Sequence, residues 1–285
     1  MDWSQAQKEL TDSLVALYGE REAAVITDWV MEALSGRRRL ERLLMRTEPL
    51  SPEVLEMYHE YRDQLLANRP VQYVLGESWF AGMRFFVDER VLIPRPETEE
   101  LVEWVVKDVS QAAGAPGGLL DVGTGSGCIG ITLARRLPGV AVHAADLSSD
   151  ALDVARRNAV DLEASVTFHQ LDFLDSKSRV GVPAVRWLVS NPPYVPLAEK
   201  GSMDPHVVGS EPALALFVPD GDALIFYRAL GEFARERLTG GGALFAEIHE
   251  ERGAAVRELL LQLGARDVIV RKDLQGKDRM IKAVW

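Results

Sequence analysis

The alternation of apolar and polar positions changes character twice along the chain. Over residues 2–68 apolar side chains recur at helical spacing: Leu10, Leu14 and Leu17, then Val25, Trp29 and Ala33. Gly19 and Ser35-Gly36 punctuate the pattern, and Ser51-Pro52-Glu53 reads as an N-cap followed by proline in a first helical turn. A small helical bundle is predicted. Over residues 70–91 the period shortens. Trp79-Phe80 and Arg84-Phe85-Phe86-Val87 flank Ala81-Gly82-Met83, which predicts a hairpin. Pro94 and Pro96, with acidic Glu97, Glu99 and Glu100, make the entry to an apolar helix over 101–109. Residues 111–118, rich in Ala, Gly and Pro, read as a linker.

Beyond it, strands and helices alternate. Short apolar runs predict strands at 119–122, 140–145, 166–171, 185–189 and 243–248. Helical periodicity predicts helices at 128–136, 150–162, 222–238 and 252–263. This order implies a parallel sheet covered by helices on both faces. Residues 267–271 and 280–284 add an antiparallel hairpin at the end of the chain. The predicted class is therefore α/β: a Rossmann-like, mostly parallel sheet with an antiparallel C-terminal hairpin, preceded by a helical bundle. The expected division is 1–69, helical domain; 70–117, hairpin and interdomain linker; 118–285, α/β domain.

Composition narrows the class of protein. With 47% hydrophobic and 26% charged residues the chain has the balance of a soluble globular protein. No apolar run approaches a membrane span, and Met1-Asp2-Trp3-Ser4-Gln5 lacks a basic-then-apolar signal layout. Cys128, the single cysteine, excludes an internal disulfide and suits a reducing cytoplasm. The net charge of −11 argues against autonomous nucleic-acid binding, and Arg37-Arg38-Arg39 reads as a solvated helix end. Histidines 59, 143, 169, 206 and 249 are scattered, so no metal site is expected.

Ligands of doubly wound sheets bind beyond the carboxyl ends of the strands, and four informative segments fall there. In Asp121-Val122-Gly123-Thr124-Gly125-Ser126-Gly127, glycines let the backbone turn tightly and approach a ligand at a helix N-terminus. Gly123, Gly125 and Gly127 fit the G-x-G-x-G loop of S-adenosylmethionine enzymes; Gly125, Gly127 and Gly130 also fit the dinucleotide pattern. Asp146, at the end of the next strand, can accept both hydroxyl hydrogens of a ribose. Asp172-Phe173 offers an acceptor and a ring suited to the amine and face of adenine. Asn191-Pro192-Pro193-Tyr194, at the end of the fourth strand, combines an amide side chain, stiffened backbone carbonyls and an aromatic ring. Such a set can hold a planar amide or amino group. In strand order 3-2-1-4-5 it lies beside the glycine loop.

Together these residues resemble class I S-adenosylmethionine-dependent methyltransferases acting on planar nitrogens, and most closely the peptide chain release factor glutamine methyltransferase family. The likeness extends through Pro70-Val71-Gln72-Tyr73-Val74-Leu75-Gly76, Leu92-Ile93-Pro94-Arg95-Pro96-Glu97-Thr98-Glu99, the glycine loop, the Asn191 segment, Glu211-Pro212-Ala213-Leu214 and Asp278-Arg279. It implies S-adenosylmethionine as cofactor, a release factor as partner docked in part by the helical domain, and methylation of the glutamine amide nitrogen in a Gly-Gly-Gln motif. By position, Gly123, Thr124, Gly125, Ser126, Gly127 and Asp146 would bind the cofactor, with Asp172 and Phe173 at its adenine. Asn191 would contact both cofactor and substrate, and Pro192, Pro193 and Tyr194 would complete the glutamine pocket. Glu247-Ile248-His249-Glu250-Glu251 and Phe217-Val218-Pro219-Asp220-Gly221-Asp222 depart from the family pattern; neither is expected to touch the chemistry.

Three rival readings are set aside. A nucleic-acid amino methyltransferase shares the Asn-Pro-Pro-Tyr chemistry but would need phosphate contacts that the acidic balance opposes. A nicotinamide-dependent oxidoreductase leaves the Asn191 loop and the closing hairpin unexplained. A non-catalytic S-adenosylmethionine-binding module leaves the acceptors at Asn191 and Pro192 without purpose.

Overall fold

The structure, a computed structural model, describes residues 1–112, 117–202 and 205–285, and the side chains of 202 and 205–207 are outside that description. Residues 113–116 of the expected linker and the His206 side chain thus lie outside the described residues. The chain forms two compact units, Met1–Glu77 and Ser78–Trp285.

The first unit is helical. Helix α1 (Trp3–Ser35) opens on a capping box, in which Asp2 accepts from Gln5 N while the Gln5 side chain accepts from Asp2 N. It breaks at Gly19 (φ 75°, ψ 165°), a conformation that glycine reaches without a Cβ clash. Left-handed Gly36 ends the helix, with its N–H donated to Glu32 O. The short α2 (Arg39–Arg42) pairs buried Arg42 with Asp28 and Glu32. Then come α3 (Pro52–Leu66), capped by Ser51, and α4 (Val71–Leu75). Leu10, Leu14, Ile26, Val30, Tyr58 and Leu65 form the core, and the Tyr58 hydroxyl donates to Ala6 O at 3.1 Å. In the second arm of α1 the residues that mark the helical spacing are not the buried ones. The break at Gly19 resets the helical phase, so Ile26, Val30 and Leu34 are buried while Val25, Trp29 and Ala33 face solvent.

The boundary between the units falls after the first residue of β1 (Glu77–Phe80), which pairs with β2 (Met83–Phe86) through Ala81 and Gly82, both at positive φ (49° and 77°) as tight hairpin turns require. Helix α5 (Pro96–Gln111) starts ahead of the apolar run because Pro96 occupies its first turn. There follow β3 (Gly118–Val122), α6 (Cys128–Arg136), β4 (Ala141–Asp146), α7 (Ser149–Asp161), β5 (Val166–Gln170) and β6 (Val185–Ser190). A small connection holds β7 (Val195–Pro196), α8 (Pro205–Ser210), α9 (Ala213–Leu216) and β8 (Phe217–Val218). The chain closes with α10 (Ile225–Arg237), β9 (Leu238–Glu247), α11 (Gly253–Gln262), β10 (Asp267–Lys272) and β11 (Asp278–Val284). Helix α10 begins three residues later than predicted because Asp222 forms a lead-in turn, accepting from Leu224 N on its side chain and from Ile225 N on its carbonyl.

The main sheet has the order β10-β11-β9-β6-β3-β4-β5, with β11 antiparallel to both neighbours and the other pairings parallel. Each central strand buries both faces. Leu119, Val189 and Phe245 pack with α5 and α6 residues Leu101, Val105 and Ile131. Their sequence neighbours Leu120, Leu188 and Leu244 pack with α10 and α11 residues Leu230, Phe233 and Leu260. Each fully buried Leu or Phe of this kind contributes about 1.5–3 kcal/mol. The register then positions the site: Val122 is level with Ala145 and with Ser190, and Ser190 with Ala246. The residues that follow, Gly123, Asp146, Asn191 and Glu247, therefore line one edge.

Candidate active site

Gly123, Gly125 and Gly127 all take left-handed backbone (φ 71°, 53° and 82°), so the positive-φ residues are those of the G-x-G-x-G spacing. A Cβ on Gly123 or Gly125 would meet nothing within 4 Å, whereas one on Gly127 would sit 2.7 Å from Ile131 Cδ1. The first two glycines leave the backbone open to a ligand; the third admits the start of α6. Gly130 belongs to the helix. Its N–H donates to Asp121 Oδ2 at 2.9 Å, and that oxygen also accepts from Thr124 Oγ1 at 2.6 Å. Among the described residues Asp121 Oδ1 is buried without a hydrogen-bond partner. Burial pushes the Asp121 carboxyl up to about 7 despite these two bonds.

Asp146 clamps the loop from β4. Its Oδ2 accepts from Gly125 N and its Oδ1 from Ser148 N, both at 2.9 Å. Burial raises its pKa, while those backbone bonds pull the other way. Ser148 caps α7 by accepting from Ala151 N, so Asp146 is spared that task. Asp172 is exposed and accepts from Leu174 N, whereas Phe173 is buried against Phe233 (ring centroids 5.4 Å apart), with the Arg179 guanidinium 5.3 Å from its ring. Cys128 is buried in the core beneath the loop, and burial pushes its thiol up to about 12, the setting of an inert packing residue.

At the end of β6 the buried Ser190 hydroxyl donates to Val122 O at 2.7 Å, tying that strand end to the start of the glycine loop. Pro192 is buried; Asn191, Pro193 and Tyr194 are partly exposed. Asn191 Nδ2 donates to Thr98 Oγ1 at 3.1 Å, and the Tyr194 hydroxyl donates to Glu247 Oε1 at 2.9 Å. Burial and the adjacent Glu247 charge raise the Tyr194 pKa, so its hydroxyl stays protonated and able to donate. Thr98 Oγ1 in turn donates to Glu247 Oε2 at 2.7 Å.

Two of these residues escaped the sequence reading. Thr98 looked like part of a helix entry, and Glu247 stood in a segment expected to lie clear of the site. That expectation is corrected: the same segment brings His249 edge-on to Tyr194, with ring centroids 6.1 Å apart. An acidic residue ending the apolar run Ala243-Leu244-Phe245-Ala246 was the available signal. Arg95 pairs with buried Glu211, which also accepts from Ile93 N, joining two of the segments that carried the resemblance.

Residues 5–76 match the family described as PrmC N-terminal domain, and residues 100–207 match Methyltransferase small domain. The release factor glutamine methyltransferase of Flavobacterium psychrophilum is 38% identical over 275 residues, 96% of each chain. That of Chlorobaculum tepidum is 42% identical over 282 residues, 95% of this chain and 94% of its own. Among solved structures, the hMettl16 catalytic domain in complex with MAT2A 3′UTR hairpin 6 aligns with a TM-score of 0.56 at 17% identity, over 82% of each chain. A methyltransferase from Pyrococcus furiosus aligns with a TM-score of 0.51 at 16% identity, over 78% of this chain and 96% of that one. At these identities the structures establish the fold, that of class I methyltransferases. Among the described residues no helix is long and apolar enough to cross a membrane. The near-full-length likeness to its curated relatives shows that the chain belongs to the release factor glutamine methyltransferase family.

Proposed function

We propose that this protein methylates the side-chain amide nitrogen of the glutamine in the Gly-Gly-Gln motif of peptide chain release factors, using S-adenosylmethionine. The observation that carries the proposal is the shared edge: the left-handed glycine loop, Asp146 and Asn191 follow strand positions that are level in the sheet. A release factor substrate implies a cytoplasmic site of action.

The residues fit the cofactor. The backbone at Gly123 and Gly125 is open to close approach, with Thr124 and Ser126 between and after them, and Asp146 can accept from ribose hydroxyls. Asp121 and Asp146 place two carboxyl groups at a loop that would receive a ligand carrying ammonium and sulfonium charge. Asp172 has acceptor capacity for the adenine amine, with Phe173 backing that wall from the core.

S-adenosylmethionine supplies an electrophilic methyl group, and transfer to the amide forms an N–C bond, breaks an S–C bond and releases one N–H proton. An amide nitrogen is a weak nucleophile because its lone pair is delocalised into the carbonyl. The Asn191 side-chain oxygen and the Pro192 carbonyl accept the two N–H hydrogens and hold the nitrogen's lone pair in line, while Pro193 and Tyr194 fix the amide plane. Positioning can supply up to roughly 7–11 kcal/mol of the barrier. Acceptors aimed at developing positive charge on nitrogen add electrostatic stabilisation. The helical unit docks the factor; its exposed Leu40, Leu43 and Leu44 beside Arg37, Arg38 and Arg39 support that role.

The test is methyl transfer from labelled S-adenosylmethionine to a purified release factor with its Gly-Gly-Gln glutamine intact or replaced by alanine. Label on the intact factor alone is expected. Equal labelling of both factors, or label on RNA but not on the factor, would overturn the assignment.

A further inference from the structure

Resting on that reading, we infer that Thr98 and Glu247 are positioning residues that decide which way round the Asn191 carboxamide is held. Three hydrogen bonds run in series across the site. The Tyr194 hydroxyl donates to Glu247 Oε1 (2.9 Å), Thr98 Oγ1 donates to Glu247 Oε2 (2.7 Å), and Asn191 Nδ2 donates to Thr98 Oγ1 (3.1 Å). Glu247 and Thr98 are each 2% exposed, so water does not scramble the directions.

The polarity follows from what each group can do. Glu247 accepts on both oxygens, from the Tyr194 hydroxyl on Oε1 and from the Thr98 hydroxyl on Oε2, so each hydroxyl gives its hydrogen to the carboxylate. Thr98 has one hydroxyl hydrogen. Once it points at Glu247, the oxygen presents only lone pairs to Asn191, and the carboxamide must answer with its NH2. The Asn191 oxygen is then left on the opposite side as an acceptor, the polarity needed to hold an amide by its N–H groups. A flipped Asn191 would set its oxygen against the Thr98 lone pairs and offer donors to a donor.

The fold supplies these groups from three separate segments. Thr98 lies in the first turn of α5, Glu247 is the last residue of β9 and Asn191 follows β6, the strand beside β9. The Tyr227 hydroxyl donates to the Glu247 carbonyl at 3.0 Å and fixes the backbone from which the carboxylate projects. Burying a carboxylate is unfavourable, and an apolar residue would pack the strand end with less penalty. What an apolar residue would lose is the direction of the two hydroxyls.

The experiment compares kcat, KM and cofactor affinity for the wild type and for Thr98→Val, Thr98→Ser and Glu247→Gln, with a release factor as methyl acceptor. Thr98→Val keeps the shape and removes the hydroxyl; it should lower kcat roughly 10–100-fold, the scale of a misplaced reacting group. Cofactor affinity should stay within about threefold, under 1 kcal/mol. Thr98→Ser should restore most of the lost kcat. Glu247→Gln keeps the volume but must donate to one of the two hydroxyls, and should lower kcat on the same scale, which covers an unfolded Thr98→Val. In an Asn191→Ala background Thr98→Val should have no further effect on kcat, because the partner it orients is gone. Additive losses in that background, or serine as damaging as valine, would identify a packing role and overturn the inference. Wild-type labelling with kcat unchanged in both Thr98→Val and Glu247→Gln would overturn it alone. A wild type that labels no release factor would overturn the underlying reading and this inference with it.

Discussion

Replacing Asp146 by alanine separates cofactor binding from chemistry. In the free protein the carboxylate already accepts from Gly125 N and Ser148 N, and each oxygen keeps acceptor capacity for a ribose hydroxyl. Hydrogen bonds to an ionised group are worth about 1.5–3 kcal/mol each, so two of them amount to about 3–6 kcal/mol. Water entering the vacated space returns part of this. The expected outcome is a loss of S-adenosylmethionine affinity of at least about 100-fold, or ~3 kcal/mol. Stability also falls, because two backbone donors lose their acceptor at about 1–3 kcal/mol each when dry. Removing a carboxyl whose pKa is raised by burial offsets some of that loss. Calorimetric titration with the cofactor measures the affinity, and a urea melt of the same sample shows that the variant is folded. A folded Asp146→Ala protein that binds within about threefold of wild type would refute the ribose assignment. Where the cofactor can be saturated, kcat should stay within about tenfold, because Asp146 ends β4, which β3 separates from β6 and the amide-holding loop that follows it.

Asn191→Ala should do the reverse, lowering kcat by at least about 100-fold with cofactor affinity within a few-fold; single-turnover labelling beside calorimetry checks both, and unchanged turnover would sink the role. Asp121 gives the pH dependence a sign: its folded pKa of about 7 lies above the ordinary 3.8, so the folded state keeps a proton that the unfolded chain has lost. Stability from this group is full below about pH 4 and is lost as pH rises through 7, by roughly 2–3 kcal/mol between pH 5 and 8; urea melts of cofactor-free Asp121→Asn should lack that loss, and equal slopes in both proteins would reject it. Gly127→Ala forces a Cβ to 2.7 Å from Ile131 Cδ1 at φ 82°, and should lower thermal stability by about 1–3 kcal/mol; a melt unchanged within experimental error would mean the turn is not strained.

What could be read from the sequence depended on how local the signal was. The central strands and helices of the second unit were legible because short buried runs and helical periods alternate with glycine and proline punctuation. Helix α6 begins and ends where predicted because left-handed Gly127 marks its start. In the first unit the same spacing found the helices but not which face of α1 is buried: past the break at Gly19 the core takes Ile26, Val30 and Leu34. The site shows the same split. Asn191, Asp146 and the glycine loop each follow a recognisable strand, so their common edge was predictable from topology. Thr98 lies in a recognisable segment and Glu247 at the end of an apolar run, but neither position by itself signals a role at the site. Their part emerges only when β9 is seen to lie beside β6 and the first turn of α5 to reach the end of β9.

The antiparallel hairpin, unneeded for a nucleotide-binding sheet, serves both ends of that arrangement. Strand β11 pairs with β9 so that Met280 faces Glu247, and Arg279, one residue earlier, accepts the Ile248 N–H on its carbonyl. The Arg279 guanidinium pairs with buried Asp273 and with Glu250, and its positive charge opposes the rise that burial imposes on the Glu247 pKa. The turn before β11 is held by Asp273, which accepts from Gln275 N and Lys277 N. From that turn Leu274 N donates to Glu100 and the Gln275 side chain donates to Glu97, the residues that flank Thr98 at positions 97 and 100. One structural addition thus opposes the rise in the Glu247 pKa and braces the helix turn that carries Thr98. A parallel strand in the place of β11 would reach this edge with its C-terminal end, without a turn to span from β9 to α5.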